Sequence, residues 1–146
     1  FETMLHQVHE MLYIERGGEA QIEDELAAYN TLVPNGRELV ATVMFEIADK
    51  DRRARELSRL GHVEDTISLS IDGEEIKATL EGDQERTTQD GKTSAVHFLH
   101  FPFTPKQIAA FKQPCAKAVL SIAHANYAHM ALIPEAVRDS LAKDFD

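Results

Sequence analysis

The chain has 146 residues, 25 acidic against 15 basic, and a formal net charge of −10. That sign argues against nucleic acid, whose phosphates need a basic stripe, and equally against an anionic membrane surface. Hydrophobic content of 43% and charged content of 27% are ordinary for a soluble globular protein. The length fits one domain, here residues 1–146, which can bury a core without disulfide or metal staples.

No apolar run approaches the roughly 18–20 residues needed to span a bilayer. The lone cysteine, Cys115, excludes an internal disulfide and any C-x-x-C motif. It fits a reducing cytoplasm, with Cys115 as a small, partly buried residue. The sequence opens at Phe1 already on an amphipathic pattern, which leads to the expectation of a further N-terminal segment.

Residues 1–16 read as a helix. Phe1, Met4, Leu5, Val8, Met11 and Leu12 recur at helical spacing on one face, with His6, His9, Glu10 and Tyr13 on the other. Glu15 lies in the apolar stripe. Gly17-Gly18 stops this helix, and a second follows over 19–30 with Ile22, Leu26 and Tyr29 on one side. Tyr29-Asn30 closes the helix end before the turn signal Pro34-Asn35-Gly36.

Residues 38–47 alternate as a strand, with Leu39, Ala41, Val43, Phe45 and Ile47 on one apolar face. A helix over 49–60 turns Ala54, Leu57 and Leu60 inward and ends at Gly61. Its basic residues Lys50, Arg52, Arg53, Arg55 and Arg59 are interleaved with acids, as on a solvated face. Residues 66–80 form a hairpin around Asp72-Gly73, which sets Leu69 opposite Ile76 and Ile67 opposite Ala78. A polar loop spans 81–92.

Residues 95–101 are a strand ended by Pro102. Thr104, Pro105 and Gln107 then make a capping box for a helix. Strands follow over 116–123 and 127–133, and Pro134 opens a last helix with Val137, Leu141 and Phe145 on one face. The order predicts an α+β fold, mainly antiparallel sheet with helices packed on one side. It also predicts that the strands holding Phe45 and Phe98 share one sheet beneath the opening helices.

Several residues suggest chemistry. His6 and Glu10 share a helix face and suit a transition metal if a second element completes the set. The zinc-protease pattern H-E-x-x-H fails, because Tyr13 stands at its last position. Gly91-Lys92-Thr93 resembles the tail of a phosphate loop, but Arg86 stands where glycine is needed and a strand follows. His97 lies among Ala95, Leu99 and Phe101, either hydrogen-bonded in the core or as a titrating or ligating group in a pocket. Glu15 and Glu46 need partners if they lie among apolar residues. Arg16 or Arg37 would make them structural, whereas His97 would make an acid/base or ligand set.

The residues Glu10-Met11-Leu12, Glu15-Arg16, Glu25-Leu26, Tyr29-Asn30, 32–36, Ala41-Thr42, Met44 and above all 92–101 together resemble bacterial domain-of-unknown-function family 3501. Glu10, Glu15, Tyr29, Asn30 and His97 match its pattern; His6 and His9 do not. The resemblance implies no established activity. It implies a setting of iron handling or oxidative stress, since genes of the family lie beside those of rubrerythrin-like and iron–sulfur proteins. The expectation is therefore a non-catalytic accessory or binding protein with such a partner, with Glu15, Tyr29, Asn30, Glu46 and His97 as ligand-binding candidates. The alternatives are a small metal-dependent enzyme or metal carrier, and a structural homo-oligomer.

Overall fold

The periodic segments fold into helices and two antiparallel sheets. A computed structural model describes residues 2–82, 87–88 and 91–146. The chain opens with α1 (Glu2–Glu15) and α2 (Glu19–Tyr29), then β1 (Glu38–Met44) and α3 (Lys50–Leu57). Strands β2 (Ile67–Ile71), β3 (Glu74–Lys77), β4 (Thr79–Leu80) and β5 (Val96–Pro102) follow. After α4 (Pro105–Phe111) come β6 (Ala118–His124), β7 (Tyr127–Leu132) and α5 (Glu135–Leu141). The class is α+β, as expected. Among the described residues the strands divide into a sheet of order β1-β5-β4 and a sheet of order β3-β2-β6-β7. No helix among them is long and apolar enough to cross a membrane.

The β2–β3 hairpin shows how sequence sets register. Asp72 and Gly73 both have positive φ, 49° and 89°, the turn whose twist matches its flanking strands. Leu69 pairs with Ile76, and the Ala78 amide donates to the Ile67 carbonyl at 3.0 Å. Beyond Ala78 the chain changes sheets, and Thr79 and Leu80 pair with His100 and Leu99 of β5. One arm therefore serves both sheets.

The core takes Leu39, Leu99 and Phe101 from the first sheet and Ile67, Leu69, Ile71, Ile76 and Ala118 from the second. Phe103, Phe111 and Phe145 complete it with ring centroids 4.7–5.6 Å apart. The α4 capping box forms as read: the Thr104 amide donates to Gln107 Oε1 at 2.8 Å, and the Gln107 amide donates to Thr104 Oγ1 at 3.3 Å.

Several expectations need correction. The first strand stops at Met44, before 47; the Phe45 amide still donates to the Ala95 carbonyl at 2.8 Å, but the regular ladder ends. In α3, Ala54 is exposed, while the half-buried Arg53 donates from Nη1 to the Ile47 carbonyl at 2.8 Å. Ile22 and Leu26 of α2 remain about two-fifths exposed, and no residue of that helix is buried. In α5 the inward residue is Arg138, 1% exposed, rather than Val137 at 47%. Arg138 donates from Nη1 to the Phe111 carbonyl and from Nη2 to Asp139 Oδ1, which fixes the rotation of the helix. Cys115 is exposed, at a left-handed backbone position. Phe1 and residues 83–86 and 89–90 of the polar loop lie outside the described residues.

Candidate functional site

Strand alternation gives the β1–β5 pair two different faces. Leu39, Leu99 and Phe101 point into the core. Thr42, Met44, Val96 and Phe98 point the other way, with Thr42 opposite Phe98 and Met44 opposite Val96. Asn30 ends α2, its amide donating to the Leu26 carbonyl, and a short 3-10 turn buries Leu32. That turn and α1 cover the outer face of the sheet incompletely. The result is a cavity of about 330 Å³ lined by Met4, Leu32, Met44, Val96 and Phe98, with Thr3, Gln7, Tyr29 and Thr42 as its polar groups. Among the described residues that line it there is no Asp, Glu, His, Lys or Arg. The size and makeup match those of small-molecule sites, mostly apolar with a few polar anchors.

His97 belongs to the opposite face of β5. It is fully buried, and its Nε2 donates to the Ser94 carbonyl at 3.0 Å. A carbonyl only accepts, so this contact sets a proton on Nε2. Glu64, 5% exposed, brings Oε2 to 3.9 Å from His97 Nδ1. Thr87 Oγ1 donates to Glu64 Oε1 at 3.0 Å, and Thr93 Oγ1 donates to Glu64 Oε2 at 3.2 Å. Both threonines are buried, and Thr87 also accepts from the His62 amide at 3.0 Å. Each carboxylate oxygen is thus engaged inside the protein, an arrangement that ties Thr87 and Thr93 to the turn that carries Glu64.

Phe45 packs edge-on against His97, with centroids 6.0 Å apart, and against Tyr127 at 5.7 Å. It also lines an open cleft with Glu46, Ile47, Arg53 and Ala95.

A third cluster joins β1, β5 and the end of β4. His100 Nδ1 lies 3.0 Å from Glu38 Oε2, and Nε2 bonds to Glu81 Oε2. The carboxylates sit on opposite sides of the ring, so the three groups clamp the strands rather than face a common point. Among the described residues, no set of three or more His, Cys, Asp and Glu side chains is placed to hold a metal ion.

The sequence candidates fall in different places. Tyr29 lines the cavity, and Asn30 caps the helix beside it. His97 is on the same strand as Val96 and Phe98 but faces away from the cavity, and its carboxylate neighbour is Glu64. Glu15 and Glu46 are exposed, so neither needs the buried partner expected for it; Glu15 Oε2 accepts from Gln21 Nε2 at 3.1 Å. His6 and Glu10 approach to 3.7 Å on the exposed face of α1. Glu64, Thr87 and Thr93 escaped sequence reasoning. The available signal was weak: an acid set between Val63 and Ile67, whose burial requires a partner.

A family model described as a protein of unknown function, DUF3501, matches residues 1–145. Among solved structures, a protein of unknown function from Burkholderia pseudomallei K96243 is similar, with 38% identity and a TM-score of 0.85. The match covers 99% of this chain and 75% of the Burkholderia chain. Among curated proteins, none matches the sequence.

Proposed function

The chain belongs to the DUF3501 family, and from that premise we propose that it is a non-catalytic binding protein acting beside a redox partner. The observation that carries this reading is the cavity between α1 and the outer face of β1–β5. Its walls are apolar, and its polar groups are hydroxyls and an amide, suited to holding an uncharged group rather than to moving protons. The buried carboxylate and imidazole, the usual acid/base pair, sit on the other face of the sheet with the carboxylate oxygens bonded to threonines. The occupant is a small apolar molecule or an apolar side chain of the partner.

The setting in this proposal is cytoplasmic iron handling or oxidative stress, with a rubrerythrin-like or iron–sulfur protein as partner. Its support is the family resemblance, together with a lone cysteine suited to a reducing compartment.

Thr42→Trp tests the reading, because Thr42 is exposed within the cavity wall and a larger ring fills the space without entering the core. The wild-type protein should bind an apolar fluorescent probe and retain a purified rubrerythrin-like or iron–sulfur protein in a pull-down. The filled variant should lose both while keeping its circular dichroism. Retention of the partner at equal strength by the filled variant, or no binding of probe or partner by the wild type, overturns the proposal.

A further inference from the structure

The edge of a sheet leaves a row of backbone N–H and C=O groups without partners, and proteins protect such edges with charge, proline, shortness or cover. Two edges here carry such protection. Strand β3 reads Glu74-Glu75-Ile76-Lys77, and β4 is two residues long. Strand β7, the other edge of the four-stranded sheet, has none. Its six residues include no charged residue, proline or glycine, and every one is exposed.

The direction of its backbone groups follows from two contacts. The Ile133 amide donates to the Ala118 carbonyl at 2.8 Å, and Tyr127 pairs with His124 across a two-residue turn. Residues 127, 129 and 131 therefore address β6, and Ala128, Met130 and Leu132 address the outside. Among the described residues, no strand takes up that outer edge. Met130 and Leu132, 81% and 65% exposed, stand on one face beside it.

We propose that the edge is filled by β7 of a second copy of this chain, antiparallel, so that two four-stranded sheets join into one of eight strands. A chain with net charge −10 repels its copy over much of its surface; β7 is a place where two copies meet without opposing like charges. A strand pairing with its own copy closes on a two-fold axis, so the assembly stops at two, and the charged β3 edge discourages growth at the far side. The register that engages all three outward residues is centred on Met130, with Ala128 opposite the second copy's Leu132. Met130, Leu132 and their mates then cover one another on a single face.

Light scattering across a concentration series tests this with the wild type, Met130→Glu, Met130→Pro and Tyr13→Glu. The glutamate sets like charges against each other on the axis. The proline removes an outward N–H and spares the bonds to β6. Tyr13, 76% exposed on α1, is the control for a dimer built on the opening helix. The wild type and Tyr13→Glu should approach twice the chain mass as concentration rises. Met130→Glu and Met130→Pro should stay at one chain mass with unchanged circular dichroism, the glutamate variant deciding the matter if the proline variant does not fold. A wild type of one chain mass throughout, a dimer that survives Met130→Glu, or one that Tyr13→Glu dissolves overturns the proposal.

Discussion

A carboxylate that is 5% exposed needs hydrogen bonds in place of the water it has lost. For Glu64 these come from Thr87 and Thr93, with the His97 ring beside one oxygen. Glu64→Ala strands two hydroxyls around an empty volume, and each buried group left unsatisfied costs about 1–3 kcal/mol. Glu64→Gln keeps the volume and offers an acceptor to one threonine and a donor to the other, so its cost should be about 1–2 kcal/mol. Urea unfolding of the three proteins checks the order. A midpoint for the alanine variant equal to that of the wild type would show that the cluster adds nothing to stability. The same cluster lies across the sheet from the cavity, so the glutamine variant should bind the apolar probe as the wild type does.

At the scale of elements, the β2–β3 hairpin offers a clean measurement. Gly73 has φ 89°, and a Cβ added there meets nothing within 4 Å. Gly73→Ala therefore costs backbone strain alone, about 1–2 kcal/mol for a left-handed position, and thermal unfolding should show that loss. An alanine variant as stable as the wild type would mean that the turn relaxes to another form. This hairpin was legible in the sequence because Asp72-Gly73 and the alternation around it specify the same register. The α4 capping box was legible for the same reason, since Thr104, Pro105 and Gln107 are close neighbours. What escaped depends on distant parts of the chain. Nothing around Ala78 announces that the strand changes sheets, and the rotation of α5 is set by Arg138 reaching the Phe111 carbonyl, 27 residues away. The candidate site divides in the same way. Tyr29 could be singled out at a helix end, and His97 on an apolar strand face. The carboxylate beside His97 belongs to Glu64, whose bond to Thr93 spans 29 residues, and no local pattern connects them. Glu15 and Glu46 misled because periodicity gives a direction and not a neighbour, and both are exposed.

Across the whole molecule, burial and charge are unevenly shared. Helix α1 buries Val8 alone and α2 buries nothing, whereas β2 and β5 hold Ile67, Leu69, Ile71, Leu99 and Phe101 in the core. Residues 1–30 also carry seven acids and one arginine, so the helical pair holds much of the net negative charge. One glutamine ties the two helices: Gln21 Nε2 donates to Glu15 Oε2 at 3.1 Å and to Glu25 Oε1 at 3.0 Å, and its Oε1 accepts from the Gly17 amide at 2.6 Å. Elements with few buried contacts open locally at a free energy well below that of global unfolding. Amides of α1 and α2 should therefore exchange with deuterium long before those of β2 and β5. Salt separates the charge contribution from the packing contribution, because about 0.1 M already limits the reach of a surface charge to about 10 Å. Raising ionic strength should slow exchange in α1 and α2 and change β5 little, and hydrogen-exchange mass spectrometry at two salt concentrations reads both. If α1 and α2 are protected as well as β5 at low salt, the helical pair is part of the core unit. The cavity would then be a rigid, preformed cleft instead of one whose walls move to admit its occupant.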